Sequence, residues 1–198
     1  MNENIFRVLA GIIFLSGISI SIYHRRKADQ DSDEKVSTKD ESKPIFWALR
    51  LGGLIIWLSP IAYLINPAWM AWSKINLPIE ARWMGVSLGM LCVILIYWLF
   101  SSIGTGITPT VATRKEHKLV TSGPYRWVRH PLYSVGTLFF LAFAIMADNW
   151  FIAFLAVIAF VLLAVRTPSE EAHLIKKFGN EYRDYMKHTG RFFPKVGS

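Results

Sequence analysis

Five stretches of the chain are long apolar runs with few charges, over residues 5–23, 45–65, 82–100, 132–146 and 150–165. A helix that crosses a bilayer needs roughly 20 apolar residues, and the first three stretches approach that length. The last two are shorter and need tilt, local thinning or a helical extension to cross. Only residues 147–149 separate them, which indicates a tight helical hairpin. The pattern predicts an all-α, polytopic membrane protein with five transmembrane helices.

Basic residues are distributed unevenly among the loops between these stretches. Arginine and lysine are concentrated in residues 24–44, in residues 114–129 and after residue 165, whereas residues 66–81 contain only Lys74 and the hairpin tip contains neither. Because loops rich in arginine and lysine stay in the cytoplasm, we expect the N-terminus outside and the C-terminus inside. The alternation of basic and neutral loops agrees with an odd number of spans.

Composition supports the membrane assignment. The chain is 53% apolar, with eight tryptophans and a mean hydropathy of +0.32. Its net charge of +8 lies in the loops, where it suits anionic lipid headgroups better than nucleic acid. No small-residue cleavage site follows the first apolar stretch, so we expect a retained span rather than a signal peptide. Cys92 is the only cysteine, so we expect neither an internal disulfide nor a metal site.

A polar cluster directly precedes the fourth apolar stretch. Residues 117–133 read HKLVTSGPYRWVRHPLY, in which Gly123-Pro124 is a turn signal and His130-Pro131 predicts a helix that starts at Pro131. A basic, aromatic loop of this kind suits a plain anchor at the lipid headgroups. The same concentration of histidine, arginine and tyrosine against a span also indicates a functional site, and this stretch alone leaves both interpretations open.

A second polar group follows the fifth apolar stretch. Arg166, Glu170 and Glu171 lie where that span leaves the membrane. Because Pro168 separates Arg166 from Glu170, we expect the two to share a helix face only if Pro168 opens a new helix. Together with the first cluster, these charged residues predict the second wall of a polar pocket.

The segment beyond this group predicts a cytoplasmic amphipathic C-terminal helix over residues 169–187. Ser169 can cap its start, and apolar or aromatic side chains recur at helical spacing, with an interruption at Gly179. Such a helix lies at the membrane surface with its apolar face in the headgroup region.

In order and spacing, these motifs resemble the C-terminal core of the isoprenylcysteine carboxyl methyltransferase family, over about residues 110–196. The resemblance is carried by HKLV at 117–120, SGPY at 122–125, RHPLY at 129–133, Arg166 with Glu170-Glu171, FGNEY at 178–182 and TGRFFP at 189–194. The whole series is specific where each motif alone is weak.

The resemblance implies a division of the chain into two parts. Residues 1–109 form a three-span region with a charged linker at 24–44, and residues 110–198 form the methyltransferase core, with the two-helix hairpin and the C-terminal amphipathic segment. Five spans resemble the short prokaryotic members of the family. This implies a multi-pass protein of a prokaryotic cytoplasmic membrane, with the active site facing the cytoplasm.

The resemblance also implies S-adenosylmethionine as the methyl donor, held without a Rossmann domain between the two motif regions. On matching positions, Glu170 lies at the polar end of the cofactor and Arg166 holds the acceptor's carboxylate; these two are the implied catalytic residues. Thr110 stands where the eukaryotic members have a cofactor-contacting glutamine, and Thr-Pro-Ser precedes Glu170 where they have more glutamates. The other implied cofactor contacts are His117, Lys118, Leu119, Val120, Tyr125, His130, Pro131, Leu132 and Tyr133.

The implied acceptor is an isoprenylated cysteine or a similar lipid-borne carboxylate, which enters from the bilayer between spans lined by Phe139, Phe143 and Phe160. A carboxylate is ionised at neutral pH and needs no general base. The wider group also contains phospholipid N-methyltransferases, and an amine acceptor would need a base. A membrane reductase related to the sterol reductases and a helical scaffold are the alternatives without methyl transfer. We expect a monomer that contacts membrane lipids and has no nucleic acid partner.

Overall fold

Six α-helices and two short 3₁₀ helices make up the computed structural model, which describes residues 2–30, 43–103 and 119–195. The 3₁₀ helices are Pro67–Ser73 and Gly123–Arg126. The predicted all-α class is confirmed, and the predicted domain division at residue 109 falls between two described ranges and stays a prediction. The α-helices are α1 Asn2–Gln30, α2 Lys43–Ile65, α3 Ile79–Ile103, α4 Pro131–Met146, α5 Trp150–Phe178 and α6 Asn180–His188.

Three of these helices are long and apolar enough to cross a membrane, namely Glu3–Ala28, Ile79–Ile103 and Trp150–Phe178. Arg50–Ile65 and Pro67–Ser73 together make a fourth candidate, bent by 119° at the break between them. Helix α4 is apolar but shorter than these. The chain is therefore an integral membrane protein with apolar helices at the five predicted places, and the count of five spans stays a prediction.

Two predicted boundaries are wrong. Helix α1 continues to Gln30, so residues 24–30 are helical and do not belong to a linker. The reason is packing, since the His24 ring stacks on Phe100 of α3 with centroids 5.9 Å apart. Helix α5 runs without a break through Pro168 to Phe178, so no new helix begins at Ser169. Membrane helices tolerate such a proline where neighbouring groups satisfy the freed backbone.

The helices pack closely where small residues face a neighbour. Helix α4 contacts α3 and α5, α1 contacts α3, and α2 contacts α5. A Cβ atom placed on Gly85 of α3 would lie 2.9 Å from Ile145 and 3.1 Å from the Ala142 carbonyl of α4. Close packing of this kind holds helices together in a membrane, where lipid is as apolar as leucine. Phe14 of α1 and Phe143 of α4 are buried in the hydrophobic core between the helices, with ring centroids 5.5 Å apart.

An ion pair between buried Arg82 and partly exposed Glu3 ties the helices together at the N-terminal end of α1. Arg82 of α3 donates from Nη1 to Glu3 Oε2 at 2.8 Å and from Nε to the Met146 carbonyl at 2.9 Å. Tyr63 of α2 donates to Glu3 Oε1 at 2.6 Å. Every charge in this group has a partner, so it serves to hold α1 to α4 in register.

Candidate active site

The predicted turn at Gly123-Pro124 forms the entrance to α4. Gly123 has a φ of +59°, and a Cβ atom there would lie 2.2 Å from Ser102 Oγ at the end of α3, so only glycine fits. The 3₁₀ helix Gly123–Arg126 then leads to Pro131, where α4 begins as predicted. Tyr125 is buried, and its carbonyl accepts a hydrogen bond from Tyr185 of α6 at 2.5 Å.

The N-terminal end of α4 and the C-terminal part of α5 are joined by hydrogen bonds and ion pairs of Glu170. Both carboxylate oxygens of Glu170 lie 2.7 Å from the Tyr133 hydroxyl, which donates to them. The Nε of Arg166 lies 3.1 Å from Glu170 Oε1, because the unbroken helix places the two side chains on one face. His130 Nδ1 lies 3.6 Å from Glu170 Oε2, and the His130 ring stacks on Tyr133 with centroids 5.4 Å apart.

Glu171 has a different role from its neighbour. It is almost fully buried and accepts hydrogen bonds from Arg129 Nε at 2.8 Å and Arg191 Nη2 at 2.5 Å. Arg129 also donates to the carbonyls of Thr189 and Met186. Glu171 therefore joins the loop before α4 to the end of the described chain, and it forms a structural link rather than an open wall of the pocket.

The last described residues cross the site as an irregular, bent segment, which we call the C-terminal strap (residues 189–195). Arg129 N donates to the Gly190 carbonyl at 2.9 Å, and His130 N donates to the Arg191 carbonyl at 3.0 Å. A Cβ atom on Gly190 would lie 1.7 Å from the Phe193 carbonyl oxygen, so the fold of the strap requires glycine. The strap seats the Phe192 ring against His130 and Phe160, with centroid distances of 6.1 and 5.1 Å.

The strap gives a testable prediction about stability. We expect Glu171→Gln to lower the free energy of unfolding by about 2 kcal/mol, because a buried arginine loses its charged partner. Thermal unfolding in detergent measures the loss. Asp184→Asn is the matched control, since it removes the same charge from an exposed pair with Lys187, and we expect no measurable change. Equal melting temperatures for the two variants would contradict the structural role of Glu171.

An apolar groove of about 230 Å³ opens beside the polar residues, between α2, α4 and α5. Tyr133 belongs to both the groove and the polar cluster, since its side chain lines the groove and donates a hydrogen bond to Glu170. The expectation that Phe139 and Phe143 line an entry is wrong, because both rings are buried against Phe14 in the core. The other lining residues include Gly53, Ile56, Leu132, Gly136, Thr137 and Leu163.

Some of the predicted cofactor contacts come together and others do not. His130, Tyr133, Arg166 and Glu170 form one cluster, with Pro131 buried at the helix start. Leu132 lines the groove, and Tyr125 faces α6. Leu119 and Val120 are half-buried in an irregular stretch. The predicted positions Thr110, His117 and Lys118 lie outside the described residues.

Sequence reasoning missed several residues of the site. In the sequence, Arg191 and Phe192 are visible only as part of the motif at 189–194, and no spacing rule gives Arg129 a partner. Tyr182 is another: it is 1% exposed, and its hydroxyl has no hydrogen-bond partner among the described residues. Burial, together with the nearby Glu171 carboxylate, raises the pKa of Tyr182, so the hydroxyl keeps its proton and remains a donor at neutral pH.

Comparison with known proteins gives relatives that share about half of the chain. Protein-S-isoprenylcysteine O-methyltransferase B of Arabidopsis thaliana is 39% identical over 47% of this chain and 49% of its own length. Nickel-cobalt-cadmium resistance protein NccN of Alcaligenes xylosoxydans xylosoxydans is 33% identical over 43% of this chain and 40% of its own length. The chain thus spans less than half the length of these relatives. The resemblance to the isoprenylcysteine methyltransferases is confirmed.

The fold and the family follow from two further comparisons. The structure of the eukaryotic intramembrane Ras methyltransferase ICMT matches 95% of this chain and 68% of its own, with a TM-score of 0.55 and 20% identity, which shows a shared fold. The family model described as phospholipid methyltransferase matches residues 80–181, just over half of the chain. This range includes α3 from its second residue, the loop before α4, and His130, Tyr133, Arg166 and Glu170 of the cluster. The chain belongs to the phospholipid methyltransferase family.

Proposed function

We propose that this protein is an S-adenosylmethionine-dependent methyltransferase that esterifies the carboxylate of a lipid-borne acceptor, an isoprenylated cysteine or a similar molecule. The observation that carries the proposal is the position of Tyr133, which lines the apolar groove and bonds Glu170 beside Arg166. A lipid tail and a polar reaction centre can therefore meet at one residue. Relatives named protein-S-isoprenylcysteine O-methyltransferase in plant, yeast and mammal support the acceptor class.

The residues of the cluster suit the cofactor. S-adenosylmethionine carries a positive sulfonium, an ammonium and an aromatic base, and the site offers the Glu170 carboxylate and the rings of His130, Tyr133 and Phe192. Carboxylates and aromatic faces both attract cations, and rings stack on a base. The hydroxyl of Tyr182, which has no hydrogen-bond partner in the described part of the chain, is a further donor in the same region. Glu170 would hold the polar end, with Tyr133 fixing its orientation.

The chemistry needs little from the side chains beyond orientation. When bound, the cofactor would supply a methyl group on a positive sulfur for in-line transfer to a carboxylate oxygen, with the C–S bond breaking as the C–O bond forms. Arg166 would orient the acceptor carboxylate, since a guanidinium binds a carboxylate through two parallel hydrogen bonds. Its ion pair with Glu170 fixes the guanidinium near the cofactor pole. The Phe192 ring packs against His130 and Phe160 and would limit the access of water to this face.

Membrane orientation follows from the same proposal. The active site faces the cytoplasm of a prokaryotic cell, where a soluble cofactor is available, and a monomer suffices because one chain supplies every proposed contact. We expect single cysteines at Lys74 and Lys187 to react with an impermeant maleimide from opposite sides, Lys74 from outside. Cys92 is fully buried and needs no removal. Labelling of both positions from one side would contradict this topology.

An amine acceptor is the second candidate, because the matching family model is described as phospholipid methyltransferase. An amine must lose a proton, and Glu170 with His130 at 3.6 Å is the pair placed to take it. Product analysis separates the two reactions. With methyl-labelled cofactor, a methyl ester releases labelled methanol in base, whereas an N-methyl product does not. We expect base-labile label on S-farnesyl thioether acids and none on phosphatidylethanolamine; the reverse would favour the amine.

A further inference from the structure

We propose that Gly53 of α2 and Gly136 of α4 set the bulk of the lipid tail that the acceptor can carry. The inference rests on the proposed function, and it deepens that function by assigning residues that determine specificity. Both glycines line the apolar groove between α2, α4 and α5. By lacking side chains, they leave the room that the tail occupies.

Neither glycine is required by the fold. Both lie inside α-helices, where glycine is less favourable than alanine. Neither has a positive φ, since Gly123 and Gly179 are the described glycines that do. A Cβ atom on Gly53 or on Gly136 would meet no atom within 4 Å. The backbone and the packing would accept a larger residue at both positions.

Other helical glycines in this chain show the usual reason for the residue. A Cβ atom on Gly17 would lie 2.9 Å from the Phe139 ring, and one on Gly85 would lie 3.1 Å from a backbone carbonyl of α4. These glycines allow two helices to approach closely. Among the described residues, no other helix lies close to Gly53 or Gly136 in this way. Their missing side chains instead leave open volume in the groove.

The groove suits the tail of an acceptor better than a passing membrane lipid. Its walls are apolar over most of their area, and its polar members, Tyr133 and Thr137, lie on one turn of α4. Tyr133 leads directly to Glu170 and Arg166. A molecule with a long apolar part and a single polar end matches this arrangement in one orientation, with the polar end at Arg166.

The test compares acceptors that differ only in their tails. We would measure kcat/KM for S-geranyl, S-farnesyl and S-geranylgeranyl thioether acids with the wild type, Gly53→Leu and Gly136→Leu. We compare the kcat/KM for the longest tail with the kcat/KM for the shortest. Each added side chain should lower this ratio by about tenfold or more, because a misfit of one methylene in an apolar pocket changes kcat/KM by roughly 10- to 200-fold. Ser87→Leu adds the same side chain at an exposed site on α3, outside the groove, and should leave the ratio unchanged.

Binding measurements separate this inference from the proposed function. Displacement of a diazirine-labelled farnesyl probe reports occupancy of the groove without turnover. If the wild type fails to methylate the acids, but Gly136→Leu weakens binding of long tails more than short ones, the reaction assignment fails and the role of the glycines stands. If the wild type methylates the acids and both leucine variants keep its tail preference, the inference is wrong. Melting temperatures equal to or above that of the wild type for Gly53→Ala and Gly136→Ala would support the absence of a packing role, and a marked fall would overturn it.

Discussion

Glu170→Gln is expected to lower kcat/KM for methyl transfer about a hundredfold, which corresponds to about 2.7 kcal/mol. The substitution keeps the shape of the side chain but removes the charge to which Arg166 and Tyr133 are bound at 3.1 and 2.7 Å. A charge-assisted hydrogen bond contributes about 1.5 to 3 kcal/mol, so the affinity for S-adenosylmethionine should fall about tenfold or more. The rest of the fall in kcat/KM comes from the Arg166 guanidinium, which Glu170 no longer holds in place.

The matched control for this variant is Glu181→Gln. Glu181 is an exposed glutamate in the first turn of α6, so its loss changes the net charge by the same amount without touching the cluster. Isothermal titration measures the affinity for S-adenosylmethionine, and a filter assay with labelled methyl groups measures kcat/KM. Full activity in Glu170→Gln would place the cofactor elsewhere in the protein.

Arg166→Lys is expected to lower kcat/KM for a carboxylate acceptor about a hundredfold while cofactor affinity changes less than threefold. Lysine keeps the charge but loses the planar fork that binds a carboxylate with two hydrogen bonds. A hydrogen bond between charged groups contributes about 1.5 to 3 kcal/mol, so the loss of one of the two bonds to the acceptor carboxylate accounts for a fall of this size. The charge beside Glu170 remains, so the cofactor pole is little changed.

Arg183→Lys is the control for Arg166→Lys. Arg183 is exposed on α6, where its Nη1 donates to Asn180 at 3.1 Å, so the same exchange there should leave methylation unchanged. An Arg166→Lys enzyme that esterifies the S-farnesyl thioether acid at the wild-type rate would show that Arg166 does not hold the carboxylate. The amine acceptor would then be the better assignment.

Local rules in the sequence predicted those parts of the fold that local chemistry decides. Pro131 starts α4 because proline has a fixed φ and no N–H to satisfy at a helix start. Gly179 interrupts the C-terminal helix because it adopts a φ of +59° between α5 and α6. The turn at Gly123 follows from the same property. Each of these positions depends on its own backbone and on few neighbours.

The parts that sequence reasoning misplaced depend on contacts between distant residues. Pro168 opens helices by the local rule, yet α5 runs through it. The link between Arg129 and Glu171 joins residues 42 positions apart, and no spacing rule selects that pair over Arg129 with Glu170. Phe139 and Phe143 are apolar residues of a membrane helix, and their contacts with distant residues such as Phe14 of α1 show that they face the core. Such partners become visible once the helices are packed.

The identity of the bound cofactor tests the central claim most directly. Purified protein in lipid nanodiscs would be titrated with S-adenosylmethionine and, separately, with a reduced nicotinamide nucleotide, and the heat of binding recorded for the wild type and for Glu170→Gln. The account predicts saturable binding of one S-adenosylmethionine per chain, at least tenfold weaker in the variant, and no binding of the nicotinamide nucleotide. Binding of the nicotinamide nucleotide instead, or S-adenosylmethionine binding that Glu170→Gln leaves unchanged, would contradict it.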